Sequence, residues 1–133
     1  MTFQGRWHAF DDLGLNNVLT QPIPIWIGAG NDERALRRVA RFADGFLPLG
    51  DPTEPMARVR QYMAEDGRDP TGFGLTGRLI AGSEGPEAWL SAARTLQGIG
   101  VTQLNLTAPP DLAPTEALER IIEARQALAA ELG

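Results

Sequence analysis

Residues 22–48 constrain the fold of this chain more than any other stretch. Ile23–Ile27 reads as a short apolar strand, Gly28-Ala29-Gly30-Asn31 as a small-residue turn, and Asp32–Ala43 as a helix. Asp44-Gly45 then turns into a second apolar strand, Gly45–Leu49. A strand, a crossover helix and another strand make the βα unit of a parallel sheet, joined right-handedly. Pro22 and Pro24 fall at the start of the first strand, where a missing donor does least harm.

The unit repeats. In the first helix Asn31 or Asp32 can cap, Glu33 suits the positive end, and Leu36, Val39, Ala40 and Ala43 fall on one face. Thr53 is the expected cap of a second helix, with Pro55 in its first turn and Met56, Val59, Tyr62 and Met63 as its buried stripe. Gly67-Arg68-Asp69-Pro70 stops it, the glycine taking a left-handed cap and the proline forbidding continuation. A third strand is predicted over Phe73–Ile80, and a third helix from Ser83–Pro86 to about Gly98 with Trp89, Ala93 and Leu96 inward. Val101–Leu106 is the fourth strand, and Pro114 opens a fourth helix marked by Leu118, Ile121, Ile122, Leu128 and Leu132. Four consecutive βα units predict an α/β half-barrel of the TIM type, with parallel strands in sequential order and helices on the convex side. The chain reads as one domain over 1–133, with 1–21 an irregular lead-in carrying the aromatic pairs Phe3/Trp7 and His8/Phe10.

Length and charge then narrow the functions available. The 133 residues fall short of the ~200–250 of a complete (β/α)8 barrel. A net charge of −5 without a basic block argues against nucleic acid and anionic membranes as partners. The absence of cysteine leaves no disulfide, thiol nucleophile or thiolate metal site, and a single histidine, His8, excludes a multi-histidine metal centre within one chain. No apolar run approaches the ~18 residues of a membrane span, and no signal-peptide pattern opens the chain. A cytoplasmic, metal-free protein is the expectation.

In barrels of this kind function gathers at the C-terminal ends of the strands. Four loops qualify: Gly28–Asn31, Leu49–Pro52, Ala81–Gly85 and Thr107–Ala113. Gly28 and Gly30 permit close backbone approach, and the amides that begin the first helix suit a phosphate. The bare pattern is more simply read as the small residues a tight turn needs. Asp32 and Glu33 already satisfy the helix dipole and would repel a phosphate; Asp51 adds a third carboxylate, and Arg34 is the nearest candidate to offset them. His8 and the Asp11-Asp12 pair read as surface or turn residues, Asp44 as turn chemistry, and Trp26, Phe73 and Trp89 as core. Asn105 and Thr107 are polar groups near the rim, placed to touch a substrate. No catalytic constellation emerges, so the catalytic residues stay unknown.

The segments Pro22–Gly30, Ala43–Pro48, Gly67–Pro70 and Gly98-Ile99-Gly100-Val101 carry a resemblance. Over about residues 3–130 the chain resembles the C-terminal half of luciferase-like monooxygenases, flavin- or coenzyme F420-dependent oxidoreductases on a TIM barrel. The resemblance implies hydride transfer to, or oxygen activation toward, a small organic substrate. Its cofactor would be F420 or FMN, contacted by Gly28, Ala29, Gly30 and Asn31 and, near the phosphate-bearing tail, by Leu49 and Gly50. It also implies that the N-terminal half, which supplies most substrate and acid/base residues, is absent. The competing expectation is a non-catalytic remnant, or a ligand- or partner-binding module on the same scaffold. A half-barrel leaves two open strand edges and a concave face expected to be apolar. A homodimer closing the barrel by a two-fold is therefore expected, or else a separate N-terminal half-barrel chain.

Overall fold

A computed structural model describes residues 1–14 and 21–132. Its order is β1 (Phe3–Gln4), β2 (Ala9–Phe10), β3 (Trp26–Ala29), α1 (Glu33–Phe42), β4 (Gly45–Pro48), α2 (Thr53–Glu65), β5 (Gly74–Ile80), α3 (Pro86–Ile99), β6 (Gln103–Thr107) and α4 (Pro114–Leu132). Strands β3, β4, β5 and β6 form one parallel sheet in sequential order, alternating with helices as in half of a TIM barrel.

One face of each of the four parallel strands carries the core. Ile27, Ala29, Phe46 and Leu75 pack on Leu36, Val39, Ala40, Met56, Val59, Tyr62 and Met63 of α1 and α2. Leu79, Ala81, Leu104 and Leu106 pack on Trp89, Ala93, Ala124 and Leu128 of α3 and α4. Side chains alternate along a strand, so Trp26, Gly28, Gly45, Leu47, Gly74, Thr76, Arg78, Ile80, Gln103, Asn105 and Thr107 fall on the opposite, concave face. That face is not the apolar surface the half-barrel reading implied. Its β5–β6 half is mostly polar, and its apolar half is dominated by Trp26. The indole lies against Gly45 and Gly74, and a Cβ at either would collide with its ring. Both glycines are there to admit a tryptophan.

The first strand starts later than expected. Ile25 gives its N–H to Asp44 Oδ2 at 2.8 Å instead of to a neighbouring strand, and Pro22 and Pro24 have none to give. Asp44 also donates its N–H to Ile25 O at 2.7 Å and accepts from Gly74 N–H at 2.9 Å, tying the starts of three strands together. The stripes of α1 and α2 are buried as expected, but α4 is turned: Leu118 and Ile122 are exposed, and the inner face runs through Ile121, Ala124 and Leu128. Helix α2 is held at its start by Asp51, which accepts from Thr53 N–H and Oγ1–H at 2.8 and 2.6 Å, while Thr53 itself is already helical. Gly67 (φ 68°) takes the expected left-handed turn after α2, and α3 runs on to Ile99 with Gly100 (φ 98°) as its left-handed cap.

Part of the lead-in is ordered as a hairpin. Strands β1 and β2 pair antiparallel with Phe3 opposite Phe10, ring centroids 5.6 Å apart, while Trp7 lies under the Arg6 guanidinium at the exposed turn. The aromatic pairing therefore differs from Phe3/Trp7 and His8/Phe10, because hairpin register sets Phe3 across from Phe10.

Candidate functional site

The C-terminal end of β3 passes through Gly30 and Asn31 into α1, whose cap is Asp32: its Oδ1 accepts the Ala35 N–H at 3.0 Å. The end of β4 passes through Leu49-Gly50-Asp51 into α2. Leu49 donates its N–H to Ala29 O at 3.0 Å, extending the β3–β4 ladder past the strands. The two patches read from the sequence, Gly28–Asn31 and Leu49–Gly50, are thereby brought together as one rim.

This rim has room. A Cβ added at Gly30 or Gly50 meets nothing within 4 Å, and one at Gly28 meets only Leu47 O at 3.8 Å. Gly50 has φ 113°, a left-handed conformation that a side chain rarely tolerates. Leu49 is 79% exposed, an apolar side chain held out at the rim.

Its electrostatics are mixed. Asp32 is committed to capping α1, Glu33 to Arg37 at 2.9 Å, and Asp51 to Thr53. The hydrogen bonds from the Thr53 hydroxyl and amide hold Asp51 below the usual carboxylate range. Arg58 reaches the rim at Asn31, whereas Arg34 makes no side-chain hydrogen bond or ion pair among the described residues. Arg58 Nη1 donates to Asn31 O and Oδ1 at 3.0 and 2.9 Å, and Nη2 to the Tyr62 hydroxyl at 3.2 Å. Its pKa is raised, chiefly by Tyr62. Nothing in the local sequence signals this contact, since Arg58 lies 27 residues from Asn31.

Between β4 and β5 the sheet splits. The two strands pair only at Gly45–Gly74 and Phe46–Leu75, whereas β5 and β6 stay in register over five pairs. The pairing ends at Phe46, two residues before Pro48, which has no N–H to extend it. The gap is a crevice of about 310 Å³ bordered by Leu49, Gly50, Asp51, Arg78 and Ile80, with Leu96 of α3 also lining it. It continues the Leu49–Gly50 side of the rim.

The two remaining loops make a separate, smaller hollow of about 190 Å³ around Ser83, Asp111 and Glu116. Arg120 closes it by donating to Gly82 O at 3.0 Å. Asn105 and Thr107 line up beside Arg78 and Ile80 across the β5–β6 ladder. His8 stands in the hairpin turn, where its carbonyl accepts the Gly5 N–H at 2.9 Å. Asp11 accepts a long 3.4 Å bond from Gln4, and Asp12 turns the chain at φ 51°. Trp89 is buried in the α3–α4 core and Phe73 packs against the α1–α2 core, as expected. Among the described residues no three acidic or histidine side chains gather as for a metal ion, and no helix is long and apolar enough to cross a membrane.

The family described as luciferase-like monooxygenase matches residues 1–132. No curated protein matches the chain.

Proposed function

Because the chain belongs to the luciferase-like monooxygenase family, we propose that it is an oxidoreductase whose rim, Gly28–Asn31 with Leu49 and Gly50, seats a flavin mononucleotide or coenzyme F420. The observation that carries the reading is the Leu49 N–H to Ala29 O bond, which joins the two loops, together with the open space above Gly30 and Gly50. The residues fit such a group in chemistry as well as in space. Gly28, Gly30 and Gly50 offer backbone to a flat ring or a chain without obstruction, Leu49 offers an apolar edge, and Arg58 supplies positive charge next to Asn31. Once bound and reduced, the cofactor would supply a hydride or reactivity toward oxygen. This chain's part is to bind and orient: Arg58 fixes Asn31, the Asp32 cap and the Asp51 bonds to Thr53 fix the two helix starts, and the substrate is placed along the concave face.

Two strand edges bear on the same reading. Among the described residues the outer edges of β3 and β6 pair with no other strand, and a half-turn about the barrel axis would bring β6 of one copy beside β3 of another. We therefore expect a homodimer; a separate N-terminal half-barrel chain would serve the same edges. Asp32 and Asp51 at the two helix starts favour a second reading, a binding module without redox chemistry, because they set carboxylates around the place a phosphate would take.

Titration of flavin mononucleotide and F420, followed by absorbance, separates the two. The oxidoreductase reading expects binding of one of them by the wild type, and at least about tenfold weaker binding by Gly30→Asp, which places a charge in the open space. Equal affinity of the two proteins removes the rim as the seat.

A further inference from the structure

Arg78 is the only charged side chain in the six strands. It stands in the middle of β5 and is exposed, while Leu75 and Leu79 on the same strand face the helices and are buried. Its register partner across the ladder is Asn105, and the neighbouring concave pairs are Thr76–Gln103 and Ile80–Thr107. These positions bring amides and hydroxyls but no carboxylate. Trp26, Gly28, Gly45, Leu47 and Gly74, which complete the face, bring none either.

Arg78 makes no ion pair among the described residues, although the other wall of its crevice includes Asp51. That carboxylate accepts from Thr53 at 2.8 and 2.6 Å. A guanidinium holds five donors in a rigid fork that matches a carboxylate or phosphate, and the Asn105 amide can add a sixth N–H bond. On a concave face, where a bound molecule and a barrel partner displace water, such a cation needs an anion, and these four strands do not contain one.

We propose that Arg78, with Asn105 beside it, is an oxyanion seat that takes the carboxylate or phosphate of a small molecule bound in the crevice between β4 and β5. The proposal rests on the reading of the concave face as substrate space, but its test needs no cofactor. Benzoate and its neutral isostere benzamide are titrated into ¹⁵N-labelled protein, and the Arg78 Nε–H and Asn105 side-chain amide signals are followed. Benzoate should move both signals and benzamide neither. Arg78→Gln should weaken benzoate binding by about tenfold or more, as loss of a charge-assisted bond does, with partial recovery in Arg78→Lys. A second arm assigns the oxyanion. Loss of flavin mononucleotide affinity in Arg78→Gln with riboflavin affinity unchanged places the cofactor's phosphate there. Loss confined to benzoate places a substrate carboxylate there. Failure of both flavins to bind counts against the oxidoreductase reading and leaves the benzoate result standing. Signals unmoved by benzoate in the wild type, or benzoate and flavin affinities unchanged in Arg78→Gln, overturn the seat and leave Arg78 a solvated side chain.

Discussion

Trp26 shows what a single residue can hide from sequence reading. An apolar strand position reads as core; in the structure the ring turns to the concave face and lies on Gly45 and Gly74, 19 and 48 positions further along the chain. Gly45 reads locally as turn chemistry and Gly74 as an interior position of the third strand, and only the fold shows that both are small for the same neighbour. Gly45→Ala and Gly74→Ala should each destabilise the protein by about 1–3 kcal/mol through overpacking, measured by urea unfolding. If Trp26→Ala is introduced first, most of that cost should vanish, because the obstructing ring is gone. Asp51 makes a prediction in pH. Its pKa is depressed in the folded state by the Thr53 hydroxyl and amide. The stability it lends is complete above the unfolded value, about 4, and is lost as pH falls through the lower folded value. The Thr53 amide resonance should accordingly titrate with a midpoint below about 4. A midpoint above that would mean the bonds do not favour the ionised form.

At the scale of elements, alternation of strand and helix was legible because hydrophobic period and turn residues agree in every unit. The α1 stripe through Leu36, Val39 and Ala40 and the α2 stripe through Met56, Val59, Tyr62 and Met63 are buried where the period puts them. What the period could not give is which apolar residues face in when a helix has more than it needs. Helix α4 offers leucine and isoleucine around more than one face, and tertiary packing selects Ile121, Ala124 and Leu128. The start of β3 was set by the Asp44 carboxylate, a contact between residues 19 apart, rather than by strand propensity. Asp44→Ala should lower stability by about 1 kcal/mol by orphaning the Ile25 N–H. Asp44→Asn, which keeps an acceptor oxygen, should cost less. Thermal melts of the two variants distinguish an acceptor role from one that needs the negative charge, in which case both would fall equally.

For the whole molecule, the sequence conveyed the sheet order and the rim loops, since both follow from four βα units in succession. It did not convey Arg58 at Asn31, the split between β4 and β5, or the polar concave half. Each depends on side chains or strands brought together from distant positions. The cofactor rim and a second copy paired along the edges of β3 and β6, left unpaired among the described residues, are the two proposals made at this scale. Size-exclusion chromatography with light scattering, monitored at a flavin wavelength in the presence of flavin mononucleotide or F420, tests both parts in one run. A peak of twice the 14.4 kDa chain mass carrying cofactor absorbance is expected. A clean peak near 14.4 kDa with no cofactor in it would contradict the account.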